Sequence, residues 1–163
     1  MRWVMAFLVM LLSAGGARAA EGVDLALVLV TDVSRSVHDG EFALMKEGYA
    51  AAFNDPDVLQ AIKRGALGRI AVSYIEFAGA SEVRTVVQWT VISDAASAAA
   101  FVKTLQAAPR SFWGRTSISA GMALALRTLA SSGYEAQRQV IDVCGDGTNN
   151  AGRAVSEVRD EAL

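Results

Sequence analysis

The oxygen-bearing residues able to do chemistry in this chain fall in three places. Asp32, Ser34 and Ser36 alternate in Asp32-Val33-Ser34-Arg35-Ser36, Thr116 follows the loop Ser111-Phe112-Trp113-Gly114-Arg115, and Asp146-Gly147 follows a short apolar run ending at Cys144. Hydroxyl and carboxylate oxygens suit a hard divalent cation, since magnesium takes about six oxygen ligands at about 2.0–2.1 Å and keeps several waters. Each segment by itself also has an ordinary structural use. Asp and Ser after a strand make turns and caps, Thr is a common helix N-cap, and Asp-Gly is a turn pair. What favours a site is their order along a pattern of strands and helices able to bring them to one edge. Other chemistries have weaker support. A serine nucleophile on a strand-to-helix elbow would sit in Gly-x-Ser-x-Gly, which the sequence lacks. The sole histidine, His38, stands near a helix start and reads as a surface residue, and Cys144 reads as a small core residue. Met45 and Met122 fall at core-facing helical positions, so they imply no soft-metal site.

The elements that must position these residues follow from periodicity. Residues 24–31 are almost continuously apolar without alternation, as expected for a strand buried on both faces of a parallel sheet. Phe42, Met45, Tyr49 and Phe53 recur at helical spacing, Asn54-Asp55-Pro56 interrupts, and a second helical piece runs to about Lys63. The β-branched and aromatic stretches 69–77 and 82–92, joined by Ala78-Gly79-Ala80-Ser81, predict an antiparallel pair. Ser93-Asp94 caps a helix over 95–106, and 109–115 is a loop. Thr116 then opens a helix with Ile118, Met122, Leu126 and Leu129 on one face, and Gly133 ends it. A short strand is predicted over 139–144, and a helix begins near Ala151. Strands alternating with helices, apart from one hairpin, predict an α/β fold: an open, doubly wound, mostly parallel sheet with one antiparallel edge strand and helices on both faces. Asp32 would then lie at the carboxyl end of a central strand, where such sheets bind ligands.

Asp-x-Ser-x-Ser after an apolar strand resembles the first motif of the metal-ion-dependent adhesion site (MIDAS) of von Willebrand factor type A (vWA) domains and integrin inserted domains. Thr116 stands in the place of the second motif and Asp146 in that of the third, with Gly145 where the family usually has Thr or Ser. The resemblance implies a Rossmann-like fold and one Mg2+ or Mn2+ held directly by Ser34, Ser36 and Thr116. Asp32 and Asp146 would act mostly through waters and hydrogen bonds to the serines. It further implies a sixth position filled by a Glu or Asp carboxylate of a protein partner. Val30-x-Asp32-Val33-Ser34-x-Ser36, Trp89 and the run from Cys144 to Asn150 also resemble an exported bacterial branch of the superfamily, of the domain of unknown function 1194 type. The family's strand order, 3-2-1-4-5-6, needs two strands beyond the four predicted here. The resemblance therefore implies a partial domain whose fourth strand has an open edge, with marginal stability and edge-to-edge association as consequences.

A chain of 163 residues with 53% hydrophobic composition holds one sizeable core and little more. The formal charge of -2 and the scattered Lys and Arg offer no basic patch for nucleic acid. Met1-Arg2-Trp3, an apolar run over 4–12 and Ala17-Arg18-Ala19 read as a secretory signal cleaved after Ala19. That run is shorter than the roughly 20 residues a membrane span needs. The expected organisation is a signal peptide over 1–19 and a partial vWA-like domain over 20–163, exported to the periplasm or the medium. A lone Cys144 gives no internal disulfide there. The leading expectation is a non-enzymatic, metal-dependent protein-binding module. Phe112, Trp113 and Arg115 offer a partner surface beside the site, although the two aromatics would serve equally well to pack their loop onto the sheet. The alternatives are a structural or assembly module with the fold but no working metal site, and a hydrolase using Ser34 or a metal-activated water, for which no placed base is evident.

Overall fold

The strand β1 (Glu21–Asp32) organises the chain, because its apolar side chains serve two layers at once. Leu25, Leu27 and Leu29 face one hydrophobic layer, and Ala26, Val28 and Val30 face the other. That is the consequence of a two-residue period in a strand apolar at nearly every position. The computed structural model describes residues 20–162, so the signal segment expected over 1–19 lies outside the described residues.

β2 (Ile70–Phe77), buried at every position, pairs parallel with β1 from Leu25↔Ile70 to Asp32↔Phe77. β3 (Val83–Ile92) is antiparallel to β2, and β4 (Tyr134–Cys144) is parallel to β1 on its other side. Among the described residues the sheet order is β3-β2-β1-β4. The antiparallel edge strand and mostly parallel sheet are those expected from the sequence. β4 is paired along one side only among the described residues, and much of it is exposed.

Helices cover both faces. α1 (Asp39–Asn54), α2 (Pro56–Lys63) and α3 (Ala95–Ala107) bring Phe53, Ile62, Phe101 and Leu105 onto Leu29, Val72, Tyr74 and Ile92. The rings of Phe53 and Phe101 meet edge to face at 4.9 Å, an arrangement worth about 0.5–1.5 kcal/mol beyond its area burial. α4 (Ile118–Ala130) places Ala125 and Leu129 against Val28, Val30, Ile75 and Phe77 on the opposite face. α5 (Val155–Asp160) touches α4 and buries Val158. Asp94 caps α3 by accepting from the Ser97 amide at 2.8 Å, worth about 1 kcal/mol. Among the described residues no helix is long and apolar enough to cross a membrane.

Several boundaries differ from the sequence reading. β4 begins at Tyr134 rather than near residue 139, because Gly133, at φ 74°, turns the chain straight into the sheet and Tyr134 pairs with Glu21 of an equally extended β1. Its first half is polar, so hydrophobicity did not mark it. Thr116 does not open α4; Ser117 is the N-cap, its hydroxyl accepting from the Ala120 amide at 3.3 Å. α5 starts at Val155, since the residues after Cys144 are spent on a loop. Met45, Met122 and Cys144 are half-buried rather than fully in the core.

Gly121 sets how closely α4 lies on the sheet. A Cβ there would meet Phe77 Cδ1 at 2.8 Å and Val30 Cγ1 at 2.9 Å, both in the packed interior. Gly121→Val is expected to lower stability by about 1–3 kcal/mol through overpacking, read as a lower denaturant midpoint at unchanged slope.

Candidate metal centre

Parallel pairing makes β2, β1 and β4 end at the same edge: Asp32 lies opposite Phe77, and Thr31 opposite Cys144. Of the three loops that meet here, the first and third leave from this edge, after β1 and after β4, and the second, between α3 and α4, is tied to it where the Ser117 amide donates to the Ala78 carbonyl at 2.6 Å. In the first, the Val33 amide donates to the Phe77 carbonyl at 2.8 Å and the Val37 amide to the Ser34 carbonyl at 3.0 Å. The segment is thus a tight turn, and the turn brings Ser34 Oγ within 3.0 Å of Ser36 Oγ. In the second loop, Thr116 Oγ1 donates to Ser34 Oγ at 3.1 Å. In the third, Asp146 Oδ1 accepts from Ser36 Oγ at 3.1 Å. Asp32 Oδ1 accepts from the Ser34 amide at 2.7 Å, while its Oδ2 is buried with no hydrogen-bond partner among the described residues. All five residues singled out from the sequence are brought together. Asp32, Ser34 and Thr116 are buried, whereas Ser36 and Asp146 are exposed, so the cluster has a closed floor and an open mouth.

Burial pushes the Asp32 carboxyl above its ordinary range and the negative charge of Asp146 adds to the rise, while the hydrogen bonds from Ser34 and, more weakly, the positive charge of Arg110 pull the other way. Gly145, where the resembling domains carry Thr or Ser, has a steric reason: a Cβ there would sit 3.0 Å from Asp32 Cβ and 3.2 Å from its Oδ2. A side chain at that position would press on the Asp32 carboxylate. Among the described residues no three His, Cys, Asp or Glu side chains gather as a metal-binding group, so a cation at this edge would depend on the hydroxyls.

Several residues that hold the loops were not marked as site residues by sequence reasoning. The tail of the third loop grips the second: Asn150 Oδ1 accepts from the Thr116 amide at 3.0 Å, and the amides of Asn150 and Ala151 donate to the Thr116 carbonyl at 2.9 and 3.0 Å. Asn149 Oδ1 accepts from the Ser119 amide at 3.2 Å, in the first turn of α4. Gly114 accepts from the Arg35 amide at 3.0 Å, and a Cβ on it would overlap the Glu82 carboxylate, which itself accepts from the Gly79 amide at 2.9 Å. Glu76, fully buried, accepts from the Ser111 amide at 2.8 Å. Lys46, also buried, donates to the carbonyls of Gln106 at 3.0 Å and Ala108 at 2.6 Å. Arg110 donates to the carbonyls of Val33 and Ser34. The signal that was available is a carboxylate, Glu76, between Ile75 and Phe77 in an otherwise apolar end of β2.

The three residues proposed as a partner surface separate. Trp113 is 60% exposed, Phe112 is half-buried, and Arg115 is exposed and donates to the Asn150 carbonyl. His38 caps the start of α1 at the surface, its amide donating to Glu41 at 2.8 Å.

Among solved structures, the chain is similar to proximal thread matrix protein 1 from the mussel byssus with a zinc-occupied MIDAS motif, at 19% identity and a TM-score of 0.62, covering 86% of this chain and 33% of that one. It is similar to a von Willebrand factor type A protein from Catenulispora acidiphila at 16% identity and a TM-score of 0.56, covering 86% and 31%. The pilus adhesin SpaC from Lactobacillus rhamnosus GG gives 21% identity and a TM-score of 0.54, covering 78% and 16%. The chain thus spans no more than a third of the length of these proteins, and at such identities the likeness shows the fold. No curated protein matched. The family described as "Protein of unknown function (DUF1194)" matches residues 22–163, and the chain belongs to that family, with the fold of vWA domains.

Proposed function

We propose that this chain is a non-enzymatic binding module that holds a divalent cation, Mg2+ or Mn2+, and uses it to take a Glu or Asp carboxylate of a protein partner. Ser34, Ser36 and Thr116 would hold the ion, with Asp32 and Asp146 supporting them. The observation that carries this reading is the convergence of these side chains from three loops beside the buried, unpartnered Oδ2 of Asp32. A cation adds positive charge beside two neighbouring carboxylates, where the pKa of Asp32 is still raised on balance, and a hydroxyl-rich ligand set leaves it electrophilic toward one more carboxylate. The mussel protein with zinc in its MIDAS motif and the pilus adhesin, both similar in fold, support a cation and a protein-binding role. The charged, apolar and small-residue pattern of residues 1–19 supports export, to the periplasm or beyond it.

Peptide arrays bearing Asp or Glu in varied contexts test the function. Binding is expected in Mg2+ and lost in chelator or in Asp32→Ala; binding indifferent to chelator would replace this reading with a structural module of the same fold. The grip on Thr116 generates a second expectation. Asn150→Ala, with its fold checked by circular dichroism, is expected to weaken Mg2+ binding in equilibrium dialysis by about 10–100-fold, as loss of a group that orients a metal ligand does. An unchanged affinity would remove Asn150 from that role.

A further inference from the structure

Arg110 spends its whole guanidinium inside the protein. Nη2 donates to the Ser34 carbonyl at 2.6 Å and the Val33 carbonyl at 2.9 Å. Nε donates to the Val33 carbonyl at 3.2 Å and the Phe112 carbonyl at 3.1 Å, and Nη1 to Asp39 at 3.3 Å. Only 6% of the side chain is exposed. The guanidinium carbon lies 5.3 Å from the ring centre of Trp113 and 5.9 Å from that of Phe42, so the group is held between two aromatics. Trp113 is itself largely open to solvent. One rigid, planar group therefore contacts an exposed ring and also donates to the Ser34 carbonyl. That same carbonyl accepts from the Val37 amide and closes the turn on which Ser34 and Ser36 sit. A lysine has no fork with which to make these contacts together.

We infer that Arg110 is a positioning residue coupling the exposed Trp113 to the Ser34–Ser36 turn, so that a protein partner pressing on Trp113 changes how the hydroxyls are set. This deepens the proposed function by making the rim contact and the candidate ion site one unit; the coupling itself belongs to the chain without a cation. Phe42 and Phe112 fix the guanidinium from the other sides, so its contacts open to solvent are the ring of Trp113 and the carboxylate of Asp39, of which only Trp113 offers an apolar face.

A double-mutant cycle on the full chain tests it, with hydrogen exchange of the Val37 amide read by NMR in the presence of chelator. Trp113→Ala is expected to speed Val37 exchange about fivefold or more when Arg110 is present, and to add nothing once Arg110→Lys has been made, as for groups acting through one contact. Arg110→Gln takes the place of Arg110→Lys should the latter fail to fold. Independent, multiplying effects of the two substitutions would overturn the coupling, as would an unchanged Val37 rate in Trp113→Ala. Equal acceleration at Val72, in the core of β2, would also overturn it, by showing that the ring only stabilises the whole fold. Calorimetry of the wild type with Mg2+ keeps the two ideas apart. Absence of binding counts against the metal reading and leaves the metal-free cycle to decide the coupling, whereas a failed cycle in a chain that binds Mg2+ overturns the coupling alone.

Discussion

The parallel pairing of β1 with β2 on one side and β4 on the other is the constraint on which the rest depends, because it fixes where the loops after β1 and β4 begin and where the α3–α4 loop is tied down beside them. A slip of one residue would turn Ala26, Val28 and Val30 toward the layer that now holds Leu25, Leu27 and Leu29, exchanging small side chains for large ones against two different helix layers. The register is therefore held along the length of β1. Its upper end, Asp32 against Phe77 and Thr31 against Cys144, is the result of packing elsewhere. The oxygen cluster inherits its place from the packing of the core below it.

Above that edge the loops are fixed by charged groups rather than by apolar packing. Glu76, Lys46 and Arg110 lie inside, and each makes hydrogen bonds to backbone groups of the turn at 33–34 or the loop around residues 106–112. Hydrogen bonds to charged groups are worth about 1.5–3 kcal/mol each, more than neutral ones. Removing a partner from a buried charge is more costly still, at about 3–5 kcal/mol. Asp32 stands apart from these three, since one of its oxygens is satisfied by the Ser34 amide and the other by nothing among the described residues. The loops are thus firmly built around a carboxylate left incomplete, which is the physical reason for placing a cation there.

The fold was legible because its signals are local. An unbroken apolar run marked β1, a β-rich pair with a short connection marked the hairpin, and Asp94 ahead of an alanine-rich stretch marked α3. The amino half of β4 was not legible, since Glu135, Gln137 and Arg138 are polar and only pairing with β1 makes them a strand. Asp32, Ser34, Ser36, Thr116 and Asp146 could be singled out from their places after strands and loops, and the structure gathers them. Arg110, Asn149 and Asn150 could not, because their contacts join loops 30 or more residues apart and leave no spacing to read. Phe112 and Trp113 were ambiguous for a related reason: adjacent aromatics on an irregular loop carry no period, and only the fold shows that the second points out while the first is half-buried.

The most direct measurement is a crystal of the protein grown with Mn2+ and recorded at a wavelength where manganese scatters anomalously. The account predicts an anomalous peak bounded by Ser34 Oγ, Ser36 Oγ and Thr116 Oγ1, with the hydrogen bonds that now link those hydroxyls replaced by bonds to the ion. Well-ordered density showing the hydroxyls still bonded to one another, with no peak at that edge at saturating Mn2+, would contradict it.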